Sequence, residues 1–134
     1  MQSSTNLITN LIAFINEDDT LSKLGKAIRA YDTEGLPVPI RETYFSLSCK
    51  ENSVTFKEVD SVPEAHSVIV IRLNCFSPLG KSAYSAHNLT EKVTMGLCRK
   101  FRSSISSFTI GDTEYDDDVK SYKITSLITF TFEE

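Results

Sequence analysis

The chain lacks the cysteine pairs that a stapled domain needs. Its three cysteines, Cys49, Cys75 and Cys98, are an odd number with no close pair, which excludes a disulfide framework. Each lies in an apolar-patterned segment, so the expectation is three buried, reduced thiols in a reducing cytosol. Positive charge is also in short supply: 14 Lys and Arg stand against 18 Asp and Glu, for a net charge of -4. That counts against a nucleic-acid binder, whose surface must meet phosphates, while leaving room for a local basic patch. No apolar run approaches membrane-spanning length; the longest is centred on residues 68–73. The opening Met-Gln-Ser-Ser-Thr-Asn lacks the basic and then apolar segments of a secretion signal, so none is expected. Internal repeats and low-complexity tracts are absent as well.

What the chain does carry is patterning. With 134 residues, 40% hydrophobic and 24% charged, it fits a single domain over residues 1–134, large enough to bury a core without staples. Leu7, Ile8, Leu11, Ile12 and Ile15 recur at helical spacing, which predicts a helix over residues 3–16 capped by Ser3, Ser4 or Thr5. The acidic run that follows is badly placed at a helix C-terminus and ends it. Residues 21–31 read two ways: as helix through Leu21, Leu24 and Ile28, or as strand from Ala27. Gly25 weakens the helix, and only a short one near residues 20–24 is assigned. Gly35, Pro37 and Pro39 make residues 32–39 a loop. Alternation then predicts strands over residues 43–50 and 54–59, joined through a turn at Glu51-Asn52-Ser53 into a hairpin. A loop is predicted over residues 60–64.

The second half reads strand–helix–strand–strand. Val68-Ile69-Val70-Ile71 is β-branched and apolar on both faces, which puts residues 67–76 in a central strand. Ser77-Pro78-Leu79-Gly80 ends it as a turn. Ser82 opens a helix to about Arg102, with a stripe of Ala86, Leu89, Val93, Leu97 and Phe101. Arg99, Lys100 and Arg102 in its last turn offset the helix dipole. Residues 105–110 alternate as a strand, and residues 111–118 form an acidic loop. Residues 119–132 close the chain as a long strand with Tyr122, Ile124, Ser126, Ile128, Phe130 and Phe132 on one face. The expected fold class is α+β: an antiparallel or mixed sheet of about four to five strands, with the N-terminal helix and the long central helix packed on one face.

Chemistry is harder to find. His66, Cys75 and His87 match no metal-ligand spacing, and no metal or cofactor is expected. Cys98 has Arg99 and Lys100 beside it, yet a helix C-terminus disfavours a thiolate; a packed thiol with a raised pKa is expected. Gly80-Lys81-Ser82 resembles the end of a phosphate-binding loop, but Cys75 stands where such a loop needs glycine. No nucleophile elbow, paired histidine or dinucleotide fingerprint occurs, so no enzyme is expected. The segment Asp112-Thr113-Glu114-Tyr115-Asp116-Asp117-Asp118 lacks the glycine and terminal glutamate of a calcium loop. It reads either as a solvated, self-repelling loop or as a carboxylate cluster facing a basic surface on a partner.

The order of elements carries more. An N-terminal amphipathic helix is followed by a proline-containing loop and a hairpin. A hydrophobic strand then ends in Ile71-Arg72-Leu73-Asn74-Cys75-Phe76-Ser77-Pro78. After the helix of residues 83–101 come a short strand, the acidic loop and a last strand, Tyr122-Lys123-Ile124-Thr125-Ser126-Leu127-Ile128-Thr129-Phe130. In pattern and length, over most of the chain, this resembles the tail terminator (tail completion) proteins of long-tailed phages and phage-like contractile particles. The resemblance implies an α+β sandwich that assembles into a hexameric ring. The ring would cap the tail tube, end its polymerisation and offer the head or neck a docking surface.

Its partners would be copies of itself, the tail-tube protein, and sheath or neck and head-completion proteins, with no membrane and no nucleic-acid sequence recognised. Its place would be the tail end of a virion or phage-like particle assembled in the host cytoplasm. The implied contact loops hold Asp112, Glu114, Tyr115, Asp116, Asp117 and Asp118, and, in a second exposed loop, Ser77, Pro78 and Lys81. Residues 32–41 would be an inter-subunit or tube-facing loop. Thr125, Thr129 and Thr131 fit either a ring contact or an ordinary solvated sheet face. The alternatives are another head–tail connector, of stopper or joining type, or a non-viral bacterial α+β binding module.

Overall fold

The computed structural model describes residues 3–30, 35–59 and 62–133. Helix α1 (Ser4–Glu17) starts where a serine can cap it: Ser3 Oγ accepts the amide of Asn6. It buries Leu7, Ile8, Leu11 and Ile15 from the predicted stripe. Asp18 stops the helix and accepts the amides of Thr20 and Leu21, opening a 3₁₀ turn (Leu21–Lys23) in place of the expected short helix. Strand β1 (Lys26–Arg29) follows, so the strand reading holds for this ambiguous stretch. Asn16 ties α1 to it: its Nδ2 donates to the Ala27 carbonyl at 3.0 Å and its Oδ1 accepts the Ala27 amide at 2.9 Å.

The remaining elements are β2 (Tyr44–Val59), β3 (Val62–Pro78), α2 (Ala83–Lys100), β4 (Ile105–Ile110), β5 (Glu114–Asp116) and β6 (Ser121–Glu133). The sheet runs β1-β2-β3-β6-β4, and β5 pairs with the start of β6. β1 lies parallel to β2 and every other pairing is antiparallel. The class is α+β with a mixed sheet of six strands, slightly more than expected.

Three expectations need correction. The polar triplet Glu51-Asn52-Ser53 is not a turn: β2 runs straight through it, with a register shift between Cys49 and Glu51. Phe45, Leu47 and Cys49 pair with the inward residues Cys75, Leu73 and Ile71, and after the shift Asn52 and Val54 take the inward places. The bulge thus moves the inward set from odd to even numbers, keeping Val54 on the apolar side. Residues 62–64 are strand rather than loop, while Asp60 and Ser61 lie outside the described residues. Ser77 and Pro78 belong to β3, paired with Tyr122 and Ser121.

Both helices pack on one face of the sheet, as expected. The core joins Leu7, Leu11 and Ile15 of α1 with Val93 and Leu97 of α2 over Phe45, Leu47, Ile69, Ile71, Leu73, Ile128 and Phe130. Each large side chain buried there contributes about 1.5–3 kcal/mol. Phe14, Phe101 and Phe130 meet edge to face at centroid distances of 5.7 and 6.3 Å, closing the seam between α1, the end of α2 and β6. Two buried polar contacts involve α2: Thr94 and Ser126 share a hydrogen bond of 3.1 Å, and Thr90 Oγ1 donates to the Ala86 carbonyl at 2.9 Å. On the opposite sheet face, Val68, Val70, Arg72, Leu127 and Thr129 are half-exposed. At one end the segment leading into β2 reaches across to the turn before β6, where the Ile40 amide donates to the Val119 carbonyl at 3.2 Å.

Candidate functional site

The two predicted contact loops converge on one end of the sheet. Ser121 pairs with Pro78 of β3 on one side and with Asp116 of β5 on the other. The acidic segment is built as a tight hairpin onto β6. Gly111 donates its amide to the Thr125 carbonyl, and Glu114, Tyr115 and Asp116 pair with Lys123, Tyr122 and Ser121. Asp116 Oδ1 then accepts the amides of Asp118 (2.9 Å) and Val119 (3.2 Å), and Lys120 turns the chain at φ 51°. Asp117 Oδ1 lies 2.7 Å from Lys120 Nζ, and that hydrogen bond, with the neighbouring charge, raises the lysine pKa.

The predicted residues therefore divide. Asp112, Glu114, Asp117 and Asp118 are exposed, as is Tyr115, whereas Asp116 spends its carboxylate on the turn itself. Lys81 is exposed, and its amide closes a turn on the Pro78 carbonyl. Ser77 and Pro78 are buried, so the exposed second loop begins only at Leu79: this part of the expectation is overturned. The flanking strand β6 pins both residues into the sheet, and turn-forming residue types alone hide that pairing. Of the loop placed at residues 32–41, residues 32–34 lie outside the described residues. Thr125 donates to Asn74 Oδ1 at 2.8 Å and Thr131 to Ser106 Oγ at 3.2 Å, so both hydroxyls serve the chain's own sheet.

A surface that the sequence patterning missed lies at the far end of the hairpin. β6 ends at Glu133, opposite His66, and β1 reaches only to Leu47. Among the described residues, Phe56–Val59 and Val62–Ala65 therefore pair with each other alone. This two-stranded arm extends about 15 Å beyond the sheet. Phe56 is 74% exposed on it and Val62 59%. The signal present in the sequence was Val54 and Phe56 alternating with polar residues, which does not say whether anything covers them. At the opposite sheet edge, β4 exposes Ser106, Ser107, Phe108 and Thr109, without a charge or proline along it.

The chemistry-bearing side chains stay apart. His66 Nε2 lies 3.6 Å from Glu64 and His87 Nε2 2.7 Å from Glu91, one helical turn on. Among the described residues no three His, Cys, Asp or Glu side chains group as metal ligands. All three thiols are unpaired, but only Cys75 is fully buried; Cys49 and Cys98 are half-buried, which corrects the expectation of three buried thiols. Cys49 lies beside the bulge of β2 and Cys98 near the end of α2. Burial pushes the Cys75 thiol up to about 11, and it also raises Cys98. For Cys98 the direction is the expected one, and desolvation is its cause. Among the described residues no helix is long and apolar enough to cross a membrane. Comparison with models of known protein families finds no match for this chain, and neither does comparison with curated proteins.

Proposed function

We propose that the chain is a structural ring subunit of tail-terminator type. In this reading it caps the end of a phage or phage-like tail tube, ends polymerisation, and presents a surface to the head or neck. The observation that carries the reading is the β2–β3 arm. An aromatic ring 74% exposed on a ribbon that has no third strand among the described residues is costly to leave in water and is well suited to insertion into a neighbour. The order of elements supports it, from the N-terminal helix to the acidic hairpin and closing strand. So does the uncharged outer edge of β4, a place where another chain can add hydrogen bonds.

The test is mass in solution, by analytical ultracentrifugation of the full chain alone and with tail-tube ends from a candidate partner. A hexameric ring, formed alone or on the tube end, is the expected result. A chain that stays monomeric at high concentration and ignores tube ends removes the reading.

A further inference from the structure

A second surface shares Arg41 and Lys81 with loops that the ring reading sets against neighbours, yet its chemistry is not one that a ring contact requires. An open cleft of about 650 Å³ lies where the end of α1, the 3₁₀ turn, the start of β1 and the approach to β2 meet. Four cations line it: Lys23, Lys26, Arg41 and Lys81. Glu42 is the one carboxylate in the lining, and it accepts a long hydrogen bond of 3.5 Å from Tyr44. Among the described residues, none of the four cations has a carboxylate within ion-pair distance. On a chain of net charge -4, four unpaired cations drawn from separate segments around one concavity are a marked local excess.

The cleft is fixed by backbone contacts. The Lys26 amide donates to the Thr43 carbonyl at 3.1 Å, and the paired hydrogen bonds of Asn16 to Ala27 hold α1 against β1. Gly25 permits the close approach: a Cβ there would come within 2.7 Å of the Phe45 ring and 2.8 Å of the Thr43 carbonyl oxygen. The lining contains no aromatic ring and only one leucine, Leu24, so it offers charge and hydrogen bonds rather than a stacking platform.

The geometry points to a binding site for a compact anion bearing two or more phosphate groups, held by Lys23, Lys26, Arg41 and Lys81. Lysines act there as mobile point charges and Arg41 supplies the planar fork that grips an oxyanion with two donors. The volume fits a small ligand. Arg41 and Lys81 would be partly covered if the ring forms through their loops, but the site does not need the ring and survives the failure of that reading.

The test is calorimetric titration of the full chain with pyrophosphate at low salt. One saturable site per chain is expected, weakening as ionic strength rises. The double variant Arg41→Gln/Lys81→Gln should lose at least about tenfold in affinity, since each charge-assisted contact is worth more than a neutral one. Lys92→Gln/Lys100→Gln, which removes the same charge outside this cleft, should change affinity little. Tripolyphosphate and ATP should bind alike, because the cleft has no ring to stack a base. No saturable pyrophosphate binding, or equal losses in the two double variants, overturns the assignment. So does a preference for ATP above tenfold, or cleft-dependent binding of a DNA duplex without binding of pyrophosphate. Circular dichroism of both variants separates a lost site from a lost fold.

Discussion

At its base the β2–β3 hairpin is a core element; at its tip it is a surface one. Between Tyr44 and Asn52 the ribbon has β1 or β6 beside it and two helices above it, and Phe45, Leu47, Ile69, Ile71 and Leu73 are buried. Past Thr55 the same two strands continue in register with neither cover, and Phe56 and Val62 face solvent. Alternation of apolar and polar residues is similar in both halves. What differs is the company among the described residues: a third strand and a helix layer at one end, neither at the other. Strand patterning thus records which residues can share a face, while burial depends on elements distant in sequence.

The largest test of the contrast strikes the layer over the base. Leu97 of α2 is 0% exposed against the sheet. Leu97→Asp buries a carboxylate where a branched apolar side chain packed, and should cost more than about 4 kcal/mol. Thermal melting followed by circular dichroism should show loss of cooperative unfolding. Unchanged melting would mean that α2 does not cover the base, and the contrast between base and tip would collapse.

A pH titration probes the same layer less violently. Burial holds the Cys75 thiol at about 11, against 9.0 for an unperturbed thiol. The folded chain therefore keeps a proton that the unfolded chain releases, so the associated stability is intact below pH 9 and is lost as the pH rises through 11. The loss should be about 2–3 kcal/mol across that window. Cys75→Ala should flatten the decline in urea midpoint relative to the parent. Cys98, Tyr44 and Lys120, whose pKa values are also raised, remain in both proteins and cancel. Equal declines would show that the thiol is not desolvated. Smaller still is Gly96→Ala, whose added methyl would come within 2.9 Å of the buried Leu21 side chain. Overpacking outweighs the gain in helix propensity, for a net loss of about 1 kcal/mol by urea unfolding. A net gain would show that the 3₁₀ turn yields, and that α2 is held chiefly by the sheet.

The parts that were legible are those whose structure follows from local repetition. The stripe of α1, the stripe of α2, the β-branched centre of β3 and the alternation of β6 all carry their own period, and they yield the fold class. The bulge near Lys50 was hidden because a polar triplet is what a turn also looks like, and only pairing with β3 distinguishes the two. β1 and β5 are four and three residues long; each is a strand because a partner elsewhere supplies the hydrogen bonds. The acidic hairpin was legible as charge, but the assignment of Asp116 to the turn needed its geometry. The arm and the basic cleft were not legible, since each depends on where strands end or on segments meeting from across the chain.

The smallest expected effect on stability falls at the tip, and it bears most directly on function. Phe56→Ser removes a ring that is already 74% exposed, so folding should change by no more than about 0.5 kcal/mol. If the arm inserts into a neighbour, that same change should remove an apolar anchor from the contact and shift the sedimentation profile toward monomer. Phe45→Ser gives the complementary result, because Phe45 is buried at the base: folding is lost before assembly can be asked about. Destabilisation at Phe56 comparable to that at Phe45 would mean that the arm folds back onto the core. Normal folding with normal assembly would leave the arm without a role in the contact, and the exposed edge of β4 would become the surface on which the ring reading must rest.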